Sequence, residues 1–173
     1  MKVRCFNMKI NIASVLRNDG ASKAFSGNVE LGTFDYMGST LTFKSPLLVE
    51  GKVINIGDTL EISASVTGEY ETECSRCGKK VEETLFAELF ESIDSEFSDI
   101  DEECVSISGN VIDISGSIEA CIFGSIPMQF LCKEDCKGLC PVCGIDLNEN
   151  ECNCEVEVYD PRFAIFRNLS KEV

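Results

Sequence analysis

Histidine is absent from the 173-residue chain, and tryptophan with it. The first absence removes the commonest general base, the Ser-His and Cys-His nucleophile pairs and the usual histidine-bearing catalytic zinc sites together. Carboxylate pairs remain open to an enzyme, but no spacing fixes two of them around a common point, and no pattern points to a small-molecule substrate. Positive charge is scarce as well: 15 Lys and Arg stand against 30 Asp and Glu, a formal charge of −15. Binding to a polyanion leans on Lys and Arg neutralising phosphates, so the surface as a whole is no general phosphate binder and a basic partner is the easier one. No apolar run is long enough for a membrane-spanning helix. The opening Met1-Lys2-Val3-Arg4-Cys5-Phe6-Asn7 leads into no apolar core with a small-residue cleavage site, so reduced cysteines and a cytoplasmic location are expected.

Cysteine is what the chain has in excess, with eleven, six of them crowded between positions 132 and 154. Cys140-Pro141-Val142-Cys143-Gly144 has the form of a zinc knuckle, two thiolates bracketing a turn that the glycine allows to close. Cys152 and Cys154 offer the answering pair, and Cys132 and Cys136 two further ligands. A disulfide knot needs an oxidising compartment, and buried free thiols do not ordinarily cluster at such spacings among glycines and charges. Structural zinc is favoured, with disulfides, an iron–sulfur cluster and free thiols as the alternatives. Cys140, Cys143, Cys152 and Cys154 are expected to hold one Zn²⁺; Cys74, Cys77, Cys132 and Cys136 form a candidate second set that has to meet across the fold. A rival partition places Cys136 in the first set and leaves Cys152 or Cys154 free. Thiolate-only zinc is usually closed and structural.

Period-two alternation dominates the rest. Met8 to Ile12 begins it, and Met8 is a candidate for the natural start. Phe25, Gly27, Val29 and Leu31 alternate with polar neighbours, and Leu41 to Phe43 and Leu47 to Val53 read as antiparallel strands between turns. The clearest strand presents Leu60, Ile62, Ala64 and Val66 on one face, and its parity continues through Gly68, Tyr70 and Thr72 to Cys74. Val81, Glu83, Leu85, Ala87 and Leu89 lead away again, which puts Cys74-Ser75-Arg76-Cys77-Gly78 at the tip of a long hairpin, with a bulge expected at Gly68. A redox Cys-x-x-Cys wants a helix after it, and none follows, so zinc is preferred there too. Positions 88–103 hold eight acidic residues and no basic one, read as a solvated loop or, more sharply, a docking strip for a basic partner. Gly109-Asn110 suits a hairpin turn. Asp113 is expected to cap a helix over 113–126 carrying Ile114, Ile118, Cys121, Ile122 and Ile126 inward, with Pro127 as its stop. Cys121 is then a core residue, and Cys5 and Cys104 have no partner. Residues 155–159 suggest a last strand, and Asp160-Pro161 opens a short helix with Arg162, Arg167 and Lys171 as a local positive patch.

The segment Asp135-Cys136-Lys137-Gly138-Leu139-Cys140-Pro141-Val142-Cys143-Gly144, followed by Asp146-Leu147-Asn148, resembles the Gram-positive members of the YceD family. The likeness extends to Met8-Lys9-Ile10-Asn11-Ile12, the Cys74-Ser75-Arg76-Cys77 turn, positions 113–127 and Asp160-Pro161-Arg162-Phe163-Ala164. It implies a part in the accumulation or processing of large-subunit ribosomal RNA and no enzymatic activity; some branches lack the Cys-rich segment.

The sequence therefore predicts an α+β chain. Residues 8–131 form a mostly antiparallel sheet, with barrel-like closure compatible with the pattern, and one main helix; residues 132–173 form a small zinc module and a C-terminal helix. The resemblance implies a non-catalytic factor in the synthesis, processing or stability of 23S ribosomal RNA during ribosome assembly, with a ribosomal protein, an assembly intermediate or the RNA as partner. The alternatives are an acidic chaperone-like module holding a basic ribosomal protein, and a zinc- or redox-responsive regulator.

Overall fold

The computed structural model describes residues 7–57, 59–94 and 104–154. The expected strand at 155–159, the helix and basic residues after it, Cys5 and most of the acidic run fall outside them. The alternation resolves into β1 (Lys9–Asn11), β2 (Ser22–Val29), β3 (Thr33–Tyr36), β4 (Ser39–Phe43), β5 (Leu47–Ile56), β6 (Thr59–Glu73), β7 (Lys80–Asp94), β8 (Ser106–Ser108) and β9 (Val111–Asp113), with α1 (Ala13–Leu16) and α2 (Ser115–Ser125). All pairings are antiparallel.

β6 is the spine. On one side it pairs with β7 along its whole length, from Thr59↔Asp94 to Glu73↔Lys80. On the other side β5 accompanies its first half and β4 its second, carrying β2 and β3 outboard. The period-two parity holds as expected: Leu60, Ile62, Ala64, Val66, Tyr70 and Thr72 are buried, as are Leu85, Ala87 and Leu89 opposite them. A three-stranded sheet in the order β1-β9-β8 and α2 cover this inner face, with α2 against β7 and Ile114, Ile118, Ile122 and Ile126 in one core with the strands. Cys121 packs against that core half-buried. Among the described residues no helix is long and apolar enough to cross a membrane.

Four expectations change. The sheet is open, because the small sheet and α2 already cover its apolar face and closure into a barrel has nothing left to bury. There is no bulge at Gly68, where the ladder to Leu85 is unbroken. The glycine instead admits Leu47, whose Cδ2 would lie 2.1 Å from any Cβ there, at the point where β6 passes from β5 to β4. The helix starts one residue late: Ile114 occupies the cap position, and Asp113 Oδ1 accepts instead from the Ser115 N–H at 3.0 Å and its hydroxyl at 2.5 Å. The acidic run is strand, not loop, as far as Asp94.

Candidate metal centres

The hairpin tip is shaped by two backbone bonds. The Cys74 N–H donates to the Lys79 carbonyl at 2.8 Å and the Gly78 N–H to the Cys74 carbonyl at 2.9 Å, with Gly78 at φ +72°, a left-handed conformation that favours glycine. Cys140 to Ile145 repeats this loop: the Cys140 N–H donates to the Ile145 carbonyl at 2.8 Å, Gly144 to the Cys140 carbonyl at 2.9 Å, and Gly144 has φ +72°. Each Cys-x-x-Cys-Gly is therefore the same knuckle, with amides of the turn aimed at its first sulfur.

The chain after α2 reaches the first knuckle through Phe130, which is buried edge-on against Tyr70 at 5.9 Å. Its carbonyl accepts from the Ser75 N–H at 2.8 Å, and its N–H donates to Ser75 Oγ at 3.2 Å. This brings Cys132 and Cys136 onto the hairpin tip. Cys77 Sγ lies 3.6 Å from Cys132 Sγ and Cys74 Sγ 3.8 Å from Cys136 Sγ, and all four sulfurs are within 4.8 Å of one another. Cys140, Cys143, Cys152 and Cys154 form a second group within the same limit. The structure thus groups the eight cysteines in the two expected sets and not in the rival partition, and the 131/132 boundary runs through a segment bonded to the hairpin tip.

Tetrahedral zinc with Zn–S of about 2.3 Å needs sulfurs about 3.8 Å apart, which the Cys77–Cys132 and Cys74–Cys136 pairs of the first group match. The protonation pattern points the same way. Burial pushes the Cys74 thiol up, but N–H groups of Arg76, Cys132 and Cys77 outweigh it and hold it down to about 6. N–H groups of Cys143 and Val142 hold Cys140 at about 6. Cys132, through burial and then the neighbouring sulfurs, and Cys154, through Cys143 and then burial, are pushed up to about 12. In the first group Cys74 and Cys136 are held toward the thiolate while Cys77 and Cys132 resist, and in the second Cys140 is held toward it while Cys152 and Cys154 resist; a cation among them would remove that resistance. The residues fit a divalent metal: in each group four sulfurs would hold it, as thiolates.

The two groups are tied together by a residue that stands in the motif but whose role the sequence does not show. Asn148, in the loop between Cys143 and Cys152, donates from Nδ2 to Cys136 Sγ at 3.4 Å and accepts from the Lys137 N–H at 2.9 Å. Asp146 steadies it, taking the Asn148 N–H at 2.8 Å and Nδ2 at 2.7 Å. That N–H and then the Lys79 ammonium, 3.0 Å away, hold the Asp146 carboxyl at about 2. Leu147 N–H to the Gly138 carbonyl and Leu139 N–H to the Arg76 carbonyl complete the seam, and Arg76 Nη1 donates to the Cys136 carbonyl at 2.7 Å. The available signal was an Asx-type Asp-x-Asn turn between ligand cysteines.

Comparison with known proteins places this arrangement. A family model described as "Large ribosomal RNA subunit accumulation protein YceD" matches residues 62–170, from near the start of β6 through both cysteine groups. The chain belongs to the YceD family. Uncharacterized proteins of Mycobacterium bovis and Mycobacterium tuberculosis are 30% identical over 120 residues, covering 65% of this chain and 56% of theirs. The chain thus spans about half the length of these curated relatives. "Large ribosomal RNA subunit accumulation protein YCED homolog 1, chloroplastic" of Arabidopsis thaliana is 34% identical over 62 residues, 36% of this chain and 19% of that protein. No solved structure matches.

Proposed function

We propose that this YceD-family chain is a non-catalytic factor in the accumulation of large-subunit ribosomal RNA, acting in the cytoplasm on an assembly intermediate or one of its proteins. The family description supplies the biological process, and one observation supports the non-catalytic part: the cysteines gather into two four-sulfur groups, each of which would fill the coordination of a tetrahedral metal. Zinc would act as a fastener, in the first group holding the segment after α2 to the hairpin tip and in the second closing the loop from Cys140 to Cys154. A second reading, an acidic chaperone-like module for a basic ribosomal protein, is favoured by the acidic outer side of the sheet and is compatible with the first. Depletion of the protein in its own cells, with large- and small-subunit ribosomal RNA quantified, tests the proposal. The large-subunit RNA is expected to fall relative to the small and to recover with the wild-type chain; an unchanged ratio would defeat it.

A further inference from the structure

The outer face of the large sheet carries three adjacent cross-strand rows away from the cysteine groups. Register places Lys52, Ser63 and Phe90 in one row, Glu50, Ser65 and Glu88 in the next, and Leu48, Thr67 and Phe86 in the third. Along the first two rows short side chains of β6 make a floor and longer ones of β5 and β7 make walls, leaving an open groove of about 630 Å³ that the third row continues as exposed surface. Its surroundings are unusual for a solvated sheet face: Phe90 in its wall is 68% exposed and Phe86, one row beyond it, 59%, two aromatic rings on one side of a strand whose other side already fills the core. Exposed aromatic surface flanked by polar groups marks interaction sites. Glu50 and Glu88 face each other across Ser65, two strand spacings or about 10 Å apart. Among the described residues neither has an ion-pair partner, whereas Glu71 and Glu82 of the same ribbon are matched by Lys44 and Lys80.

We propose that this groove holds an extended segment of a basic protein, placing an Arg or Lys side chain between Glu50 and Glu88 and an apolar or cationic flank against each phenylalanine. Charge selects the occupant. A second copy of the chain would bring the same carboxylates to face their own kind. RNA could stack bases on the rings, but its phosphates would meet Glu50 and Glu88 with Lys52 the one cation in the three rows. The inference deepens the ribosomal reading and rests on it in taking the partner to be a protein of the large subunit; the groove itself stands on geometry.

The test is a titration of the metal-loaded, isotope-labelled full chain, by amide chemical shifts, with a short alternating Arg-Val peptide, its Glu-Val counterpart and oligouridylate. The Arg-Val peptide is expected to shift residues 48–52, 63–67 and 86–90, and the Glu-Val peptide none. Phe86→Thr with Phe90→Thr, which keeps strand propensity and leaves the core face intact, is expected to weaken binding about tenfold or more. Glu50→Lys with Glu88→Lys should abolish it, while Asp135→Lys, reversing an exposed carboxylate elsewhere, should not change it. Absent or scattered shifts, an equal loss with Asp135→Lys, or the same pattern with oligouridylate would overturn the proposal. Peptide binding with an unchanged ribosomal RNA ratio on depletion keeps the groove and removes the ribosomal reading; a lowered ratio with no peptide binding does the reverse.

Discussion

Replacing Asn148 with alanine removes a side chain that belongs to the second cysteine group by sequence and serves the first by contact. The variant loses the Nδ2 donor to Cys136 Sγ and the Oδ1 acceptor for the Lys137 N–H. A hydrogen bond to a charged group is worth about 1.5–3 kcal/mol, which converts to roughly ten- to hundredfold in affinity. Loss of a partner that orients a metal ligand costs about the same, ten- to hundredfold. Zinc at Cys74, Cys77, Cys132 and Cys136 should therefore weaken by that factor. Asn148→Asp should weaken it further, because a carboxylate beside a thiolate repels it and offers no donor. The assay is competition with a zinc chelator while free thiols are alkylated, the labelled peptides being read by mass spectrometry so that each group reports separately. The first group should be labelled at a lower chelator concentration than in the wild type, and Cys140 and Cys143 should follow the wild-type curve more closely. If only Cys140, Cys143, Cys152 and Cys154 became more reactive, Asn148 would be serving its own loop and the proposed seam between the groups would be wrong.

Three further outcomes are expected. Elemental analysis should find two zinc ions per chain in the wild type and one in Cys140→Ser; one ion in the wild type would mean that the two groups do not both bind metal. Gly68→Ala should lower unfolding free energy by about 1–3 kcal/mol in urea titration, because the new methyl meets Leu47 where that side chain is fully buried; an unchanged midpoint would show that Leu47 moves freely. Phe130→Ala should cost about 3–5 kcal/mol and also raise alkylation of Cys132 and Cys136, since the ring is what seats that segment on Tyr70. Destabilisation with those cysteines still protected would separate the two effects.

The strand parity from Leu60 to Cys74 was legible because one face of an antiparallel sheet is buried and the other solvated, which writes a period of two into the sequence. The hairpin tip followed from the same parity, and the grouping of the cysteines from their spacing. Gly68 misled because a bulge and a close neighbour both ask for glycine, and only the register tells them apart. Asn148 and Phe130 were hidden for a different reason: their partners lie far off in sequence or in another loop, and no local period encodes such a contact. Barrel closure was undecidable from alternation, which reports that a face is covered but not by what. With Cys132 and Cys136 against the hairpin, removing metal should loosen the tip at positions 74–79 along with the segment that follows α2.

The unbroken ladder of β6 and β7 acts as a ruler. At about 3.4 Å per residue, the distance from the knuckle end at Glu73 to the far end at Thr59 is roughly 45–50 Å. A compact protein of about 100 residues has a radius of gyration near 13 Å and is too short to reach both ends at once. Contacts mapped simultaneously to the cysteine-bearing tip and to the opposite end would thus point to either an elongated partner or a large particle, so the mapped span alone discriminates between one small client and an assembling subunit.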